Sequence, residues 1–217
     1  MKKTTTISGL LLINLFAFCL FTHAQKGVYV GAQVAPLLSV TFNGDDVHNT
    51  GMDYKAKTSY AAGLSAGYNF SEHFGAGVEL MYTVEKQSYK DNLSGYTEKF
   101  QYLKIPVVLT YNTNPDALVM FTAKAGPQLG IMMKSTVSDA YNHSPEKDKY
   151  NSLHLGAMAG AGVSLRLTDQ VRVNTGLRFD GSITNLESKE YRQGSTSRPD
   201  THHLNAGIEV GIKYQFN

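Results

Sequence analysis

The sequence has one cysteine, no tryptophan and six prolines among 217 residues. Cys19 lies in an N-terminal stretch expected to be removed. The mature chain then has no thiol chemistry, no disulfide and no cysteine-based metal site. Few prolines leave strands uninterrupted, because each proline withdraws a donor from a sheet ladder. Charge is sparse too: charged residues make up 18%, below the roughly 25% of average soluble chains. A net charge of +2 gives no basic field for nucleic acid as a partner. After residue 24 no run of 18 apolar residues occurs, which excludes a membrane-crossing helix there.

Tyrosine, phenylalanine and glycine are plentiful, at 13, 10 and 20 residues. Aromatics with glycine and little proline favour strands and tight turns. The N-terminus reads differently. Met1-Lys2-Lys3 is a short basic start, and Ile7 to Phe21 is an apolar run too short to span a membrane as a helix. Thr22-His23-Ala24 then places small residues before a cut preceding Gln25. This is the layout of a secretory signal. Residues 1–24 are expected to be a signal peptide and residues 25–217 one mature domain.

The mature chain alternates with period two. Leu204, Ala206, Ile208, Val210, Ile212, Tyr214 and Phe216 share one face, and Asn205, Gly207, Glu209, Gly211, Lys213 and Gln215 share the other. Successive side chains of a strand point to opposite faces, so this segment needs one apolar and one polar environment. Seven upstream segments repeat the pattern: near 26–37, 60–70, 78–84, 103–111, 119–133, 153–167 and 171–179. Most reach the roughly 9–11 residues that cross a bilayer at a tilt.

The connections alternate in length. Ser39–Lys57, Lys86–Glu98, Ser135–Tyr150 and Thr184–Thr201 are long; Ser71–His73, Asn112–Ala117 and Thr168–Gln170 are short. Short periplasmic turns and long extracellular loops mark outer-membrane barrels. The fold class is therefore all-β, an eight-stranded antiparallel up-and-down transmembrane β-barrel with both termini on the periplasmic side. Aromatics at the strand ends fit the two membrane interfaces. The competing reading is a soluble barrel with its apolar face inward.

Eight strands leave a lumen just wide enough for side chains. The charges expected to point into it are Glu79, Lys104, Lys124, Arg166, Arg172, Arg178, Asp180, Glu209 and Lys213. Charges removed from water need partners, so a paired network filling the barrel is the expectation, ahead of an ion path. Pro106 is expected at a bulge or near the rim. His202 and His203, with His143 and His48, fall in the long loops by this reading. Solvated histidines are the expectation there, since a closed zinc site needs four placed ligands. His143-Ser144 and His202 with Asp200 match no catalytic spacing. No cofactor, metal or enzymatic activity is expected.

Tyr102-Leu103-Lys104-Ile105-Pro106, running into Val107 to Tyr111, resembles a strand of Bacteroidetes outer-membrane β-barrels of the porin-family or PorT-like kind. Ala125 to Gly130, Gly176 to Phe179 and Ser182 to Asn185 resemble further segments of that family. The family often carries an acidic residue where this chain has Lys104. Glu209, Gly211, Tyr214 and Phe216 resemble the C-terminal signal read by the outer-membrane assembly machinery. The resemblance implies outer-membrane lipid and that machinery as partners, and allows a role beside a secretion machine. The expected function is a structural or surface-interaction role through the long loops, with an envelope or extracellular protein as a further partner. The alternatives are a membrane enzyme acting on lipid or peptide at the loop rim, and a narrow pore.

Overall fold

The computed structural model of the protein describes residues 27–43, 53–90, 95–138, 143–145, 149–188 and 200–216. The expected signal peptide, the loop residue His48 and Asn217 lie outside these. The strands are β1 Gly27–Asn43, β2 Asp53–Asn69, β3 Phe74–Lys90, β4 Gly95–Asn112, β5 Val119–Ser138, β6 His143–Pro145, β7 Leu153–Arg166, β8 Val171–Ser182 and β9 Thr201–Gln215. Eight of them pair antiparallel with their chain neighbours, and β9 returns to β1 to close the ring. The short β6 adds only an edge to the outer end of β5, where Ser144 faces Val137. The barrel is thus the closed, eight-stranded, up-and-down architecture that the alternation implies. Closure leaves no wall strand with an unpaired edge.

The two faces of the wall settle which way the pattern points. Leu64 and Phe121 are 62% and 64% exposed, whereas Lys104 and Arg178 are 1% exposed. A wall that shows leucine and phenylalanine outward and hides lysine and arginine inside is built for hydrocarbon. The soluble barrel with an apolar interior is excluded. Aromatic pairs ring the short-turn end: Phe74 with Tyr111 at 5.3 Å, and Tyr214 with Phe216 at 4.9 Å between centroids.

Hydroxyls fix the short turns. Ser71 Oγ accepts from the backbone N–H of His73 and Phe74, and Thr168 Oγ1 does the same for Gln170 and Val171. Each side chain replaces the ladder bonds that the chain gives up where it reverses.

Two expectations are corrected. The strands extend past the expected loop boundaries: 39–43, 86–90, 95–98 and 135–138 are strand. Thr41 pairs with His203, and Gln87 with Glu98. In 86–90 and 95–98 the outward positions turn polar, so the contrast that reveals a strand disappears while the ladder continues; in 39–43, Val40 and Phe42 keep the alternation, and the turn residues after them mask it. Pro106 sits at neither a bulge nor a rim. Val78↔Val107 and Met81↔Lys104 keep one register, but the two pairs between them are missing from the β3–β4 ladder. The same opening faces Pro36 between β1 and β9, and Pro127 between β4 and β5. Each proline has intact pairing on its other side, so the missing N–H opens one ladder locally without shifting the strands.

Glycine is required where β7 and β8 approach most closely. Gly162 and Gly176 are directly paired, and a Cβ on either would run into the opposing backbone.

Candidate functional site: the lumen

Among the described residues the interior gathers polar side chains away from lipid. Its charges form two linked clusters. In the lower cluster Lys124 Nζ bonds Glu79 at 2.5 Å and Glu209 at 2.6 Å. Arg178 Nη1 bonds the second oxygen of each, at 2.8 and 2.7 Å. Two cations and two carboxylates thus form a closed ring drawn from β3, β5, β8 and β9. In the upper cluster Lys104 Nζ lies 2.5 Å from Glu85 and also donates to Asp180. Asn205 Nδ2 donates to Glu85 at 2.8 Å and Asp180 at 3.1 Å, and its Oδ1 accepts from Ser39. Arg178 Nε at 3.8 Å from Asp180 joins the clusters.

Such a network is possible because every charge in it faces an opposite charge. Isolated buried charges cost several kcal/mol each, and only excellent geometry with satisfied lone pairs offsets that. Here each carboxylate meets at least one cation.

Above the upper cluster lies a ring of aromatic and imidazole side chains. Tyr102, His154 and His203 meet at centroid distances of 5.0, 5.6 and 5.1 Å. Phe100 stacks on Tyr102 at 6.1 Å, and Tyr150 meets Phe100 edge-on at 5.0 Å. Met132 completes this apolar plug. His154 lies over Gly130, where any side chain would collide with the ring. Glu85, Asp180 and His203 offer ligand atoms within 4.8 Å of one another, as a metal site would. Lys104 Nζ occupies their midst, 3.3 Å from His203 Nε2, and supplies the positive charge itself.

The nine lumen residues expected from the sequence divide three ways. Glu79, Lys124, Arg178 and Glu209 form the lower ring, and Lys104 and Asp180 belong to the upper one. Arg166, Arg172 and Lys213 stand apart at the short-turn end. Arg172 donates to the carbonyl of Pro115, and Lys213 lies 4.7 Å over the Tyr29 ring. Of the C-terminal residues, Tyr214 donates its hydroxyl to Gln170 at 3.0 Å, and Gly211 lies on the inner face beside Gln33.

Glu85 and His154 are lumen residues that the apolar alternation does not mark. Glu85 continues the inner parity of Glu79 and Met81 just past the alternating segment 78–84. His203, read as a loop residue, is a strand residue 2% exposed. Its parity with Asn205 and Glu209 was the available signal. Ser144 lies in the backbone of β6, and His202 falls on the opposite face of β9 from His203.

Residues 23–188 match the family model described as outer membrane protein beta-barrel domain. No curated protein matches the chain. Among solved structures, Neisserial surface protein A is similar over 89% of this chain and all of its own, at 15% identity and a TM-score of 0.51. OprG of Pseudomonas aeruginosa is 12% identical over 89% of this chain and 97% of its own, with a TM-score of 0.49. Ail, the attachment invasion locus protein of Yersinia pestis, is 12% identical over 87% of this chain and 99% of its own, with a TM-score of 0.46. Identities this low speak to fold alone.

Proposed function

The chain belongs to the outer membrane protein beta-barrel domain family, and from that premise we propose that it is a plugged, non-enzymatic barrel acting through its extracellular side. The protein is a small β-barrel of the bacterial outer membrane. One observation carries the finer reading: the lumen is crossed by stacked layers of paired side chains. The lower ring, the upper ring and the Phe100–Tyr102–His154 plug draw on strands all round the wall. A continuous aqueous path would have to break buried ion pairs in two successive layers, each costing several kcal/mol.

With the lumen filled, the surfaces left for recognition lie outside. On β1 to β5 the wall continues past the apolar band, and Tyr150 bridges to Glu187 between the connections that flank β7 and β8. This raised, braced rim suits contact with another envelope or extracellular protein. Signal-peptide removal after Ala24 and the Bacteroidetes PorT-like grouping are parts of the same proposal. The first accounts for export, and the second rests on the segments around Lys104 and Gly126.

Recordings on the purified full chain in planar bilayers test the plug. The expected result is a silent bilayer at moderate voltage. Steady, uniform conductance steps would overturn the reading and favour a narrow pore.

A further inference from the structure

The short-turn end of the lumen is the part that the ion-pair network leaves unused. Three cations meet there in register. Arg166 on β7 is directly opposite Arg172 on β8, and Arg172 is directly opposite Lys213 on β9. Directly paired residues share a face, and like charges in that arrangement repel. Asp116, on the β4–β5 turn, offsets the repulsion at Arg172 in part. Arg172 gives one guanidinium nitrogen to the Pro115 carbonyl, and its Nη1 is buried with no hydrogen-bond partner. Lys213 rests on the Tyr29 ring. Neither residue forms an ion pair among the described residues.

A cavity of about 40 Å³ opens at the same place, lined by Arg172, Lys213, Ser164, Asn174 and Asn112 among others. Ser164 is 0% exposed, and its Oγ has no partner. Asn174 pairs directly with Ser164 on one side and with Gly211 on the other. Gly211 contributes no side chain, so the space between them stays open. A single water needs about 10–15 Å³ by this measure and fills about 30 Å³ of liquid, so the cavity offers about three waters' worth of space, room for one tetrahedral oxyanion of five heavy atoms. It is too small for a nucleotide or a sugar.

The lining chooses the charge and the shape of its occupant. Ser164 from β7, Arg172 from β8 and Lys213 from β9 bring unused donors from three strands, and the local charge is positive. Arg172 offers one free Nη rather than an open fork, so a planar carboxylate gains no bidentate pairing. Donors arriving from three directions match a tetrahedral oxyanion. The nearby carboxylates stand on the turns: Glu72 and Asp169 are exposed at the cavity's outer edge, and Asp116 acts on Arg172 from the β4–β5 turn.

We propose that the periplasmic mouth of the lumen is a binding site for a phosphate group, held by Arg172 and Lys213 with Ser164 donating a third bond. The group arrives as free inorganic phosphate or on a phospholipid headgroup of the inner leaflet. Binding relieves the repulsion among the three cations and gives Ser164 Oγ and Arg172 Nη1 their missing acceptor. The site lies below the lower ion ring and does not depend on the barrel being plugged.

The test uses the full chain folded in maltoside micelles, which contain no phosphate, and follows heat unfolding by circular dichroism. Inorganic phosphate is titrated against chloride at matched ionic strength. The midpoint is expected to rise with the logarithm of phosphate concentration above Kd, by on the order of 5–10 °C at a hundredfold excess over Kd. Lys213→Gln should abolish this rise while leaving the phosphate-free midpoint unchanged or higher, because one repelling charge has gone. Ser164→Ala should weaken phosphate binding about tenfold, the worth of one hydrogen bond to a charged group. It tests the site independently if Lys213→Gln folds poorly. Repeating the titration in phosphatidylglycerol nanodiscs and in nanodiscs of phosphate-free glycolipid separates the sources. An equal rise in both assigns the site to free phosphate, and a rise lost only with phosphatidylglycerol assigns it to the headgroup. A phosphate effect equal to that of chloride, or one that survives intact in both variants, overturns the proposal.

Discussion

Replacing Lys104 by methionine tests whether the lumen network behaves as a buried one. Methionine keeps most of the apolar stem and its flexibility and removes the ammonium with its charge and donors. Lys104, Glu85 and Asp180 have side chains 1–2% exposed, so water cannot take over the role of the ammonium in place. Removing one partner of a buried pair costs about 3–5 kcal/mol, because the other charge remains without compensation. The structure argues for the low end. Asn205 still donates to both carboxylates, Gln128 Nε2 lies 3.5 Å from Asp180, and Arg178 stands at 3.8 Å from it. A loss of about 3 kcal/mol is therefore expected. Combining Lys104→Met with Glu85→Gln and Asp180→Asn removes the stranded charges and should recover most of it. Urea unfolding of the full chain in phosphatidylcholine vesicles measures both variants. Circular dichroism is the probe, since the chain has no tryptophan. A loss below about 1 kcal/mol for Lys104→Met, the range of surface pairs, would show that lumen water screens the cluster and would refute the reasoning.

Other parts of the barrel give sharper yes-or-no outcomes. Leu64→Arg places a cation on the lipid face in the middle of the apolar stretch of β2, and should cost about 2–4 kcal/mol in the same assay; a neutral result would argue that this face is not in hydrocarbon. Gly162→Val drives a branched side chain into the Thr175–Gly176 backbone and should abolish the heat-sensitive gel mobility of the folded barrel, whereas Gly160→Ala, whose Cβ comes no closer than 3.0 Å to the Leu177 carbonyl, should keep it. Pro106→Ala restores an N–H opposite Glu79 and Leu80, and should add slowly exchanging amides to the β3–β4 ladder in hydrogen exchange. Unchanged exchange there would mean that the opening has another cause.

How far the sequence reveals this molecule depends on contrast between the two sides of each strand. Where β9 crosses the membrane, Ile208, Val210 and Ile212 face lipid while Glu209 and Lys213 face the lumen, so strand, register and orientation can all be read from alternation. At Glu85 the alternation ends, with Val84 before it and Lys86 after it; around Thr41, Val40 and Phe42 still alternate, but the Asn43-Gly44-Asp45 turn signal that follows reads as loop although the ladder goes on. This is why the upper half of the charge network was legible only in part. Lys104 and Asp180 lie within the contrasting stretch, whereas Glu85 and His203 lie beyond it. Partner choice was hidden for a different reason. Arg178 reaches Glu79 across the width of the barrel at 2.8 Å, and only closure brings β8 opposite β3. The cation row at the mouth follows from register instead. Arg166, Arg172 and Lys213 become neighbours once β7, β8 and β9 are aligned by their turns, and alignment is a property of the sheet that alternation within a single strand does not contain.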